Sequence, residues 1–175
     1  MLVRDAGPED APACAAIYAP YVTGTAVSFE AEPPTPDEMR ARIASAQAAH
    51  AWLVAQDPGE PGVLGFAYAG PWKARVAYRW SCEVTVYVAA GAQRRGVGRT
   101  LYEALFERLA NQGFRTLVAG VTLPNDASVG LHRALGFEPI GTFPRIGWKL
   151  GQWQDVAYLV RPIGPDGPPR PLAPA

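Results

Sequence analysis

The sequence predicts a mixed α/β (α+β) domain, with a central, mostly antiparallel sheet flanked by helices. Two observations lead to this fold class. A hairpin pattern of apolar runs about a polar turn predicts antiparallel neighbours, and one long amphipathic segment between two apolar runs predicts a helical crossover between parallel strands. A chain of 175 residues fits one domain.

Turn and capping residues delimit the elements of the first half. Thr35 is a candidate N-cap, Pro36 suits the first helical position, and Glu38 completes a capping box. The predicted elements are a strand at 2–4, helices at 8–20 and 35–48, and a hairpin of strands at 51–56 and 63–69 about a turn at 57–62.

The second half contains the predicted crossover. Leu101, Leu105 and Leu109 recur every four residues along one helix face, and Gly113 ends that helix. The strands on either side are therefore expected to be parallel neighbours. The predicted elements are a strand at 78–88, a helix at 99–112, a strand at 116–121, a short helix from the cap Asn125 to about Leu135 with Gly136 as its left-handed stop, and strands at 137–142 and 153–160.

Composition excludes several classes of protein. Sixteen basic and sixteen acidic residues balance, which argues against a general nucleic-acid or membrane-surface binder. Cys14 and Cys82 lie in apolar stretches and indicate buried free thiols, not a disulfide framework or metal site. Without a leader or an apolar run of roughly 20 residues, the default expectation is a cytoplasmic protein. Residues 162–175 are mostly Pro, Gly and Ala, which predicts a folded domain at 1–161 and an irregular tail.

The stretch QRRGVG, residues 93–98, separates the long strand from the crossover helix. Glycines let backbone N–H groups approach a ligand, and the N-terminus of a helix attracts phosphate. Arg94, Arg95 and Arg99 add cationic donors, so the stretch predicts a diphosphate cradle. The alternative is a glycine loop with solvated arginines. The spacing matches neither a Walker loop nor a dinucleotide fingerprint.

The spacing Gln/Arg-x-x-Gly-x-Gly/Ala instead resembles the acetyl-coenzyme A loop of the GNAT superfamily of N-acetyltransferases. Asn125-Asp126-Ala127-Ser128 followed by Leu135-Gly136-Phe137 is similar to another pattern of that superfamily. Segment 86–88 lies where the resemblance implies a β-bulge that turns backbone groups toward the acetyl and pantetheine portions. The implied cofactor-binding residues are Val86, Tyr87, Val88, Gln93, Arg94, Arg95, Gly96, Val97, Gly98, Arg99, Asn125 and Ser128.

A closer resemblance covers nearly the whole chain. Segments 28–38, 67–80, 123–137 and 147–156, with the proline-rich tail, resemble phosphinothricin N-acetyltransferases. That group includes enzymes that acetylate phosphinothricin, methionine sulfoximine and methionine sulfone. The resemblance implies the GNAT acyl-coenzyme A N-acyltransferase fold, acetyl-coenzyme A as cosubstrate, no metal, and a homodimer.

Two residues are candidates for the chemistry of amine acetylation. Glu83 stands in an otherwise apolar strand, where partial desolvation raises the pKa of a carboxyl and makes it a better base. Alternation places it on one face with Thr85 and Tyr87. The alternative is a structural carboxylate paired with an arginine. His132 stands where many members of the superfamily have a tyrosine, and it either protonates the thiolate, relays a proton or only orients the pantetheine. A backbone N–H near Val88 is the expected oxyanion donor.

Cationic residues among aromatic ones in 72–79 predict a site for an anionic amino acid. The alternative for each cation, Lys73 included, is a solvated loop. The expected substrate-binding residues are Arg75 and Arg79, with Phe29 and Tyr78 as apolar walls by resemblance; Lys149 and Trp153 are further candidates.

Three functions are weighed. The first is an acetyl-coenzyme A-dependent N-acetyltransferase that acts on a small amino acid analogue. The second keeps the fold and acetylates a polyamine, an aminoglycoside or a protein N-terminus; the arginines in 72–79 argue against these cationic acceptors. The third is a non-catalytic coenzyme A-binding module, against which Glu83 and His132 both argue.

Overall fold

The computed structural model describes residues 1–59 and 62–174. Glu60 and Pro61 of the predicted turn, and Ala175 of the tail, lie outside the described residues. The strands are β1 (Leu2–Asp5), β2 (Trp52–Gln56), β3 (Gly65–Pro71), β4 (Ser81–Val88), β5 (Thr116–Leu123), β6 (Glu138–Lys149) and β7 (Gln152–Pro162). The helices are α1 (Ala11–Gly24), α2 (Pro36–Gln47), α3 (Val97–Gln112) and α4 (Asp126–Ala134).

The strands form one mixed sheet in the order β1-β2-β3-β4-β5-β7-β6. The predicted parallel pair is confirmed, because β4 and β5 run side by side and α3 connects them. All other neighbouring pairs are antiparallel, including the predicted β2–β3 hairpin. The β4–β5 register covers only three residue pairs, from Ser81 with Thr116 to Glu83 with Val118. Beyond Glu83 the two strands diverge, although each keeps its other neighbour.

The two faces of the sheet carry separate apolar cores. On one face, the leucines predicted at a spacing of four in α3 are fully buried against the sheet. On the other face, α1 and α2 cover Trp52 and Phe66. Cys14 and Cys82 are buried free thiols, and burial raises the pKa of each to about 12. Both thiols therefore stay protonated near neutral pH.

Several element boundaries differ from prediction. Val76–Tyr78 forms a 3₁₀ turn, so β4 begins at Ser81 and not at residue 78. The first helix continues through Pro20 to Gly24, because buried Val22 beyond the proline anchors its last turn. Strands β6 and β7 pair well beyond the predicted limits, as far as Lys149 with Gln152. Helix α3 starts at Val97, two residues earlier than predicted.

Two local expectations have opposite outcomes. The capping box of α2 is confirmed, because the Thr35 hydroxyl accepts from the Glu38 N–H while the Glu38 carboxylate accepts from the Thr35 N–H. The β-bulge expected at 86–88 is wrong, because β3 and β4 pair in unbroken register from Gly65 with Val88 to Pro71 with Cys82. Divergence from β5, not a bulge, is what frees the backbone of this segment.

The chain after β7 contains no helix or strand over the described residues 163–174. It lies against the end of α3, where the Ala173 N–H donates to the Gln112 carbonyl at 2.8 Å and the Trp80 indole donates to the Arg170 carbonyl at 2.8 Å. Within residues 1–59 and 62–174, no helix has the length and apolarity to cross a membrane.

Candidate active site

The divergence of β4 from β5 exposes backbone groups of Val86 and Val88. The Ala89 N–H donates to the Leu64 carbonyl at 2.9 Å, and strand alternation then turns the peptide groups of Val86 and Val88 away from β3, toward the gap. The Tyr21 hydroxyl, from α1, donates to the Val88 carbonyl at 2.6 Å. The Val86 and Val88 N–H groups thus face the space that β5 has left.

This gap continues into a cleft of about 680 Å³ between β4, α3 and α4. The cleft brings together most of the predicted cofactor-binding residues, namely Val86, Val88, Gln93, Arg94, Gly96, Val97, Gly98, Arg99, Asn125 and Ser128. Sequence reasoning missed five lining residues, Tyr21, Val27, Ala92, Ala127 and Leu131. Ala127 and Leu131 belong to the short helix after the predicted cap Asn125, so the sequence pattern of that helix could have identified them. Tyr21 and Val27 come from distant segments that carry no local motif.

The N-terminus of α3 forms one end of the cleft. Its N-cap is Gly96, in a left-handed conformation with φ of 82°, so no side chain caps the helix. Thr100 is the first residue whose N–H bonds back, to the Gly96 carbonyl at 3.0 Å, which leaves the earlier helical N–H groups for a ligand. Gly98 faces α4, since a Cβ there would lie in van der Waals contact with Leu131 Cδ2, at 3.4 Å. With Arg94 and Arg99 beside it, this end fits a diphosphate.

Two of the predicted cofactor-binding residues do not line the cleft. The Arg95 guanidinium donates to the Asp57 carboxylate at 2.7 Å and forms an ion pair there. The Tyr87 side chain is buried on the opposite face of β4, where it packs between Tyr18 and Phe66. Only the backbone of Tyr87 is near the cleft.

Glu83 occupies the last paired position of β4 before the divergence. Its side chain is half-buried on the face that α1 and α2 cover, as predicted from alternation with Tyr87. Gly120 of β5 lies beside it, and a Cβ there would be 3.4 Å from both Glu83 Oε1 and the Tyr158 ring. Burial raises the pKa of Glu83, and the positive charge of Lys73 partly opposes that rise. A carboxylate in such surroundings is a stronger base than one in water.

His132 is buried, with 3% of its surface exposed, and it does not line the cleft. Its Nδ1 lies 2.8 Å from the Ser128 carbonyl, which only accepts, so Nδ1 carries the proton. Nε2 then accepts from the Tyr102 hydroxyl at 3.2 Å. Burial lowers the pKa of His132, and the Ser128 bond opposes this only in part. The imidazole is therefore a neutral group held behind Ser128.

A second cavity of about 680 Å³ lies between α2 and the sheet, on the same face as Glu83. Its floor includes Gly70, the cross-strand partner of Glu83. The walls are mostly apolar and aromatic, with a few polar groups, and include Tyr18, Met39, Arg42, Trp52, Phe66, Tyr68 and Tyr87. A small molecule with an apolar portion fits such a space.

The predicted substrate residues occupy exposed positions. Arg75, Tyr78 and Arg79 belong to the exposed connection before β4, and the Arg79 guanidinium stacks over the Trp80 ring at 4.3 Å. Phe29 is 46% exposed and contacts Gly147 of β6. The structure brings Lys73, not either arginine, into electrostatic contact with Glu83.

The two further candidates for substrate binding, Lys149 and Trp153, contact other parts of the protein. Trp153 packs edge-on against Trp148 and lies under the Arg145 guanidinium at 5.4 Å. The Lys149 ammonium donates to the backbone carbonyls of Val22, Ser28 and Glu30. Neither side chain is directed at Glu83.

The raised pKa of Glu83 gives a stability test that needs no ligand. We expect Glu83→Gln to raise the melting temperature by a few degrees at pH 8, because an ionised Glu83 is less stable in the folded chain than in the unfolded one. This cost is present above the folded pKa and absent below the ordinary value of 4.5, so the difference should shrink as pH falls from 8 to 5. Calorimetry measures it, with Glu107→Gln as the exposed control. An equal gain at every pH would contradict the desolvated carboxylate.

Comparison with known proteins agrees with this geometry. The model of the acetyltransferase (GNAT) family matches residues 14–137. A phosphinothricin N-acetyltransferase of Streptomyces viridochromogenes is 44% identical over 98% of this chain and 93% of its own. An L-methionine sulfoximine/L-methionine sulfone acetyltransferase of Pseudomonas aeruginosa is 38% identical over 93% of this chain and 95% of its own.

A solved structure is also similar. The GNAT superfamily phosphinothricin acetyltransferase of Sinorhizobium meliloti, in complex with acetyl-coenzyme A, superposes with a TM-score of 0.89. It is 34% identical, and the match covers 93% of this chain and 88% of that one. The mixed sheet, the open start of α3 and the matched family model lead to one conclusion: the chain belongs to the GNAT acetyltransferase family, as an N-acetyltransferase similar to phosphinothricin acetyltransferases.

Proposed function

We propose that the protein transfers the acetyl group of acetyl-coenzyme A directly to the α-amino group of a small amino acid analogue, with Glu83 as general base. The proposed acceptors are phosphinothricin, methionine sulfoximine and methionine sulfone, the compounds that the names of its relatives print. One observation carries the proposal. The half-buried Glu83 carboxylate lies where β4 leaves β5, beside the gap that opens into the cleft and on the same face as the cavity under α2.

The cleft residues fit acetyl-coenzyme A, which supplies the activated acetyl group. The open N–H groups at the start of α3, with Arg94 and Arg99, bind the diphosphate. Val86, Ala127 and Leu131 offer an apolar path for the pantetheine arm. The Val88 N–H, turned toward the gap, donates to the oxyanion that develops on the acyl carbonyl.

Glu83 removes a proton from the acceptor ammonium so that the amine attacks the acyl carbon. The C–S bond then breaks, and coenzyme A leaves as a thiol with the second proton that the nitrogen loses. Half-burial keeps its pKa above the ordinary carboxylate value and closer to the working pH, which favours proton transfer. The acceptor carboxylate is held by cations of the connection before β4, namely Arg75 and Arg79, and by Lys73 near Glu83. Tyr78 and Phe29 are the proposed apolar walls.

His132 acts through Ser128 in this proposal. Its Nδ1–H donates to the Ser128 carbonyl, and its Nε2 faces the hydroxyl of buried Tyr102. The imidazole therefore has no free N–H to donate to a departing thiolate. The Ser128 N–H in turn donates to the cap Asn125 at 3.1 Å. Of the roles open to His132, we therefore favour orientation of the α4 end of the cleft.

We also propose a cytoplasmic homodimer, with residues 1–161 as the catalytic domain and 162–175 as its tail. Six large apolar side chains of β6, β7 and their turn are 49–63% exposed: Ile140, Phe143, Ile146, Trp148, Leu150 and Trp153. We call this set the apolar arm. The sheet order also leaves one edge of β6 unpaired in the described chain. An exposed apolar patch at an open strand edge favours association with another protein surface. The resemblance of this chain to phosphinothricin N-acetyltransferases implies that the partner is a second copy of the chain.

The central test is acetyl transfer itself. Phosphinothricin, methionine sulfoximine or methionine sulfone should release free thiol from acetyl-coenzyme A, and Glu83→Gln should lower kcat by about 100-fold or more, the range of a lost general base. Binding of acetyl-coenzyme A, measured by calorimetry, should survive in the variant. Turnover of the variant equal to that of the original enzyme would show that Glu83 is not the general base. Thiol release with spermidine alone would show that the acceptor is a polyamine and not an amino acid analogue.

Neighbouring arginines provide a matched test of the cleft. Arg94 lines it and Arg95 does not, since Arg95 pairs with Asp57. We expect Arg94→Gln to raise KM for acetyl-coenzyme A by about tenfold or more, because one charge-assisted hydrogen bond to phosphate contributes roughly 1.5–3 kcal/mol. Arg95→Gln should leave that KM nearly unchanged. A larger rise in this KM for Arg95→Gln than for Arg94→Gln would place the diphosphate beside Arg95.

The apolar arm is tested by the mass of the protein in solution. Sedimentation should show a dimer, and Trp148→Glu together with Ile146→Glu should yield monomers, because charges in a desolvated interface are costly. Leu2→Glu, at the opposite edge of the sheet, changes another exposed apolar residue and should leave the dimer intact. A monomeric original protein, or a variant that stays dimeric, contradicts this interface.

A further inference from the structure

The Lys149 ammonium binds three backbone carbonyls. It donates to the Val22 carbonyl at 2.6 Å, to the Glu30 carbonyl at 2.9 Å and to the Ser28 carbonyl. An ammonium has three donors, so all of them are used. Val22 lies in the last turn of α1, where carbonyls lack helical partners and carry partial negative charge. Lys149 thus joins β6 to the end of α1 and to the segment that follows.

The same segment is fixed to both of the helices that cover its face of the sheet. The Tyr18 hydroxyl lies 2.6 Å from the buried Ser28 hydroxyl and donates to Glu30 at 2.9 Å. The Arg42 guanidinium, from α2, binds both oxygens of the Glu30 carboxylate, at 2.6 and 2.9 Å. These bonds hold the residues on both sides of Phe29.

Phe29 itself is directed against β6. A Cβ on Gly147 would lie 2.3 Å from Cε2 of the Phe29 ring, so the ring occupies the space of a side chain at position 147. Gly147 and Lys149 are two residues apart in the same strand. A single strand therefore fixes the ring of Phe29 and the backbone carbonyls on either side of it.

Residues 27–30, which we call the dividing segment, are linked to both spaces of the candidate site. Val27 lines the cofactor cleft. Tyr18 and Arg42, which hold Ser28 and Glu30, line the cavity under α2. The position of Phe29 therefore depends on contacts that border both the cofactor and the acceptor.

We propose that Lys149 is a positioning residue that sets the affinity of the enzyme for its acceptor by holding the dividing segment, and with it Phe29, against β6. This inference rests on the proposed function, because it takes Phe29 as a wall of the acceptor site. Lys149 does not touch the substrate. Its loss releases the carbonyls of Ser28 and Glu30 from β6 and lets Phe29 leave Gly147.

Two independent variants test the proposal by kinetics. Lys149→Met removes the ammonium, and Gly147→Ala displaces the ring without altering charge. Each should raise KM for phosphinothricin by about tenfold, equivalent to roughly 1.4 kcal/mol, while KM for acetyl-coenzyme A and kcat change little. The double variant should cost less than the sum, since both act through Phe29. Arg40→Met, on the exposed face of α2, is the control.

A second readout needs no acceptor. Protein labelled with 4-fluorophenylalanine has six phenylalanine positions, and Phe29→Leu assigns one fluorine resonance to Phe29. Lys149→Met and Gly147→Ala should both move that resonance, and Arg40→Met should not. If the original enzyme acetylates none of the three proposed acceptors, the proposed function fails while this resonance still decides the role of Lys149. An unmoved resonance, or equal rises in both KM values, would overturn the proposal.

Discussion

The divergence of β4 from β5 after Glu83 and Val118 is the constraint on which the site depends. Both strands keep an outer neighbour, β3 for one and β7 for the other, so neither loses its place in the sheet. The peptide groups of β4 that a continuous parallel ladder would use are instead turned toward a cleft. The Tyr102 hydroxyl approaches one of them, the Val84 carbonyl, at 3.4 Å, and Tyr21 binds another at Val88. Backbone polar groups in such a gap need partners, and the proposed function assigns that role to the arm of acetyl-coenzyme A.

Glu83 is half-buried because of where the divergence begins. A shift of one residue in either direction would turn its side chain toward the other core, where Cys82 and Val84 are buried. At this position the carboxylate borders Gly120 and Tyr158 on the face that also contains the cavity under α2. The desolvation that destabilises its charged form is the same effect that makes a carboxylate a stronger base, the role proposed for Glu83. Stability and proton transfer are thus opposed at this single residue.

Local sequence signals predicted the parts of the site that lie close together in the chain. The open start of α3 follows from the glycines at 96 and 98, and the cap at Asn125 from its side chain. Local signals did not distinguish Arg94 from Arg95, because a left-handed φ of 60° at Arg94 and the distant partner Asp57 decide which side chain lines the cleft. The tertiary contacts of Lys149 join residues more than 100 positions apart, which no local pattern encodes. The resemblance correctly located the segment whose backbone groups are unpaired on one side, residues 86–88. The cause is the divergence of β4 from β5 and not the expected bulge.

A crystal structure with bound acetyl-coenzyme A tests this account most directly. The account predicts the diphosphate against the N–H groups of residues 97–99, the acyl carbonyl oxygen within hydrogen-bonding distance of the Val88 N–H, and the acyl carbon open toward Glu83. A thioester that lies outside the gap between β4 and β5, or a diphosphate bound away from the start of α3, would contradict it.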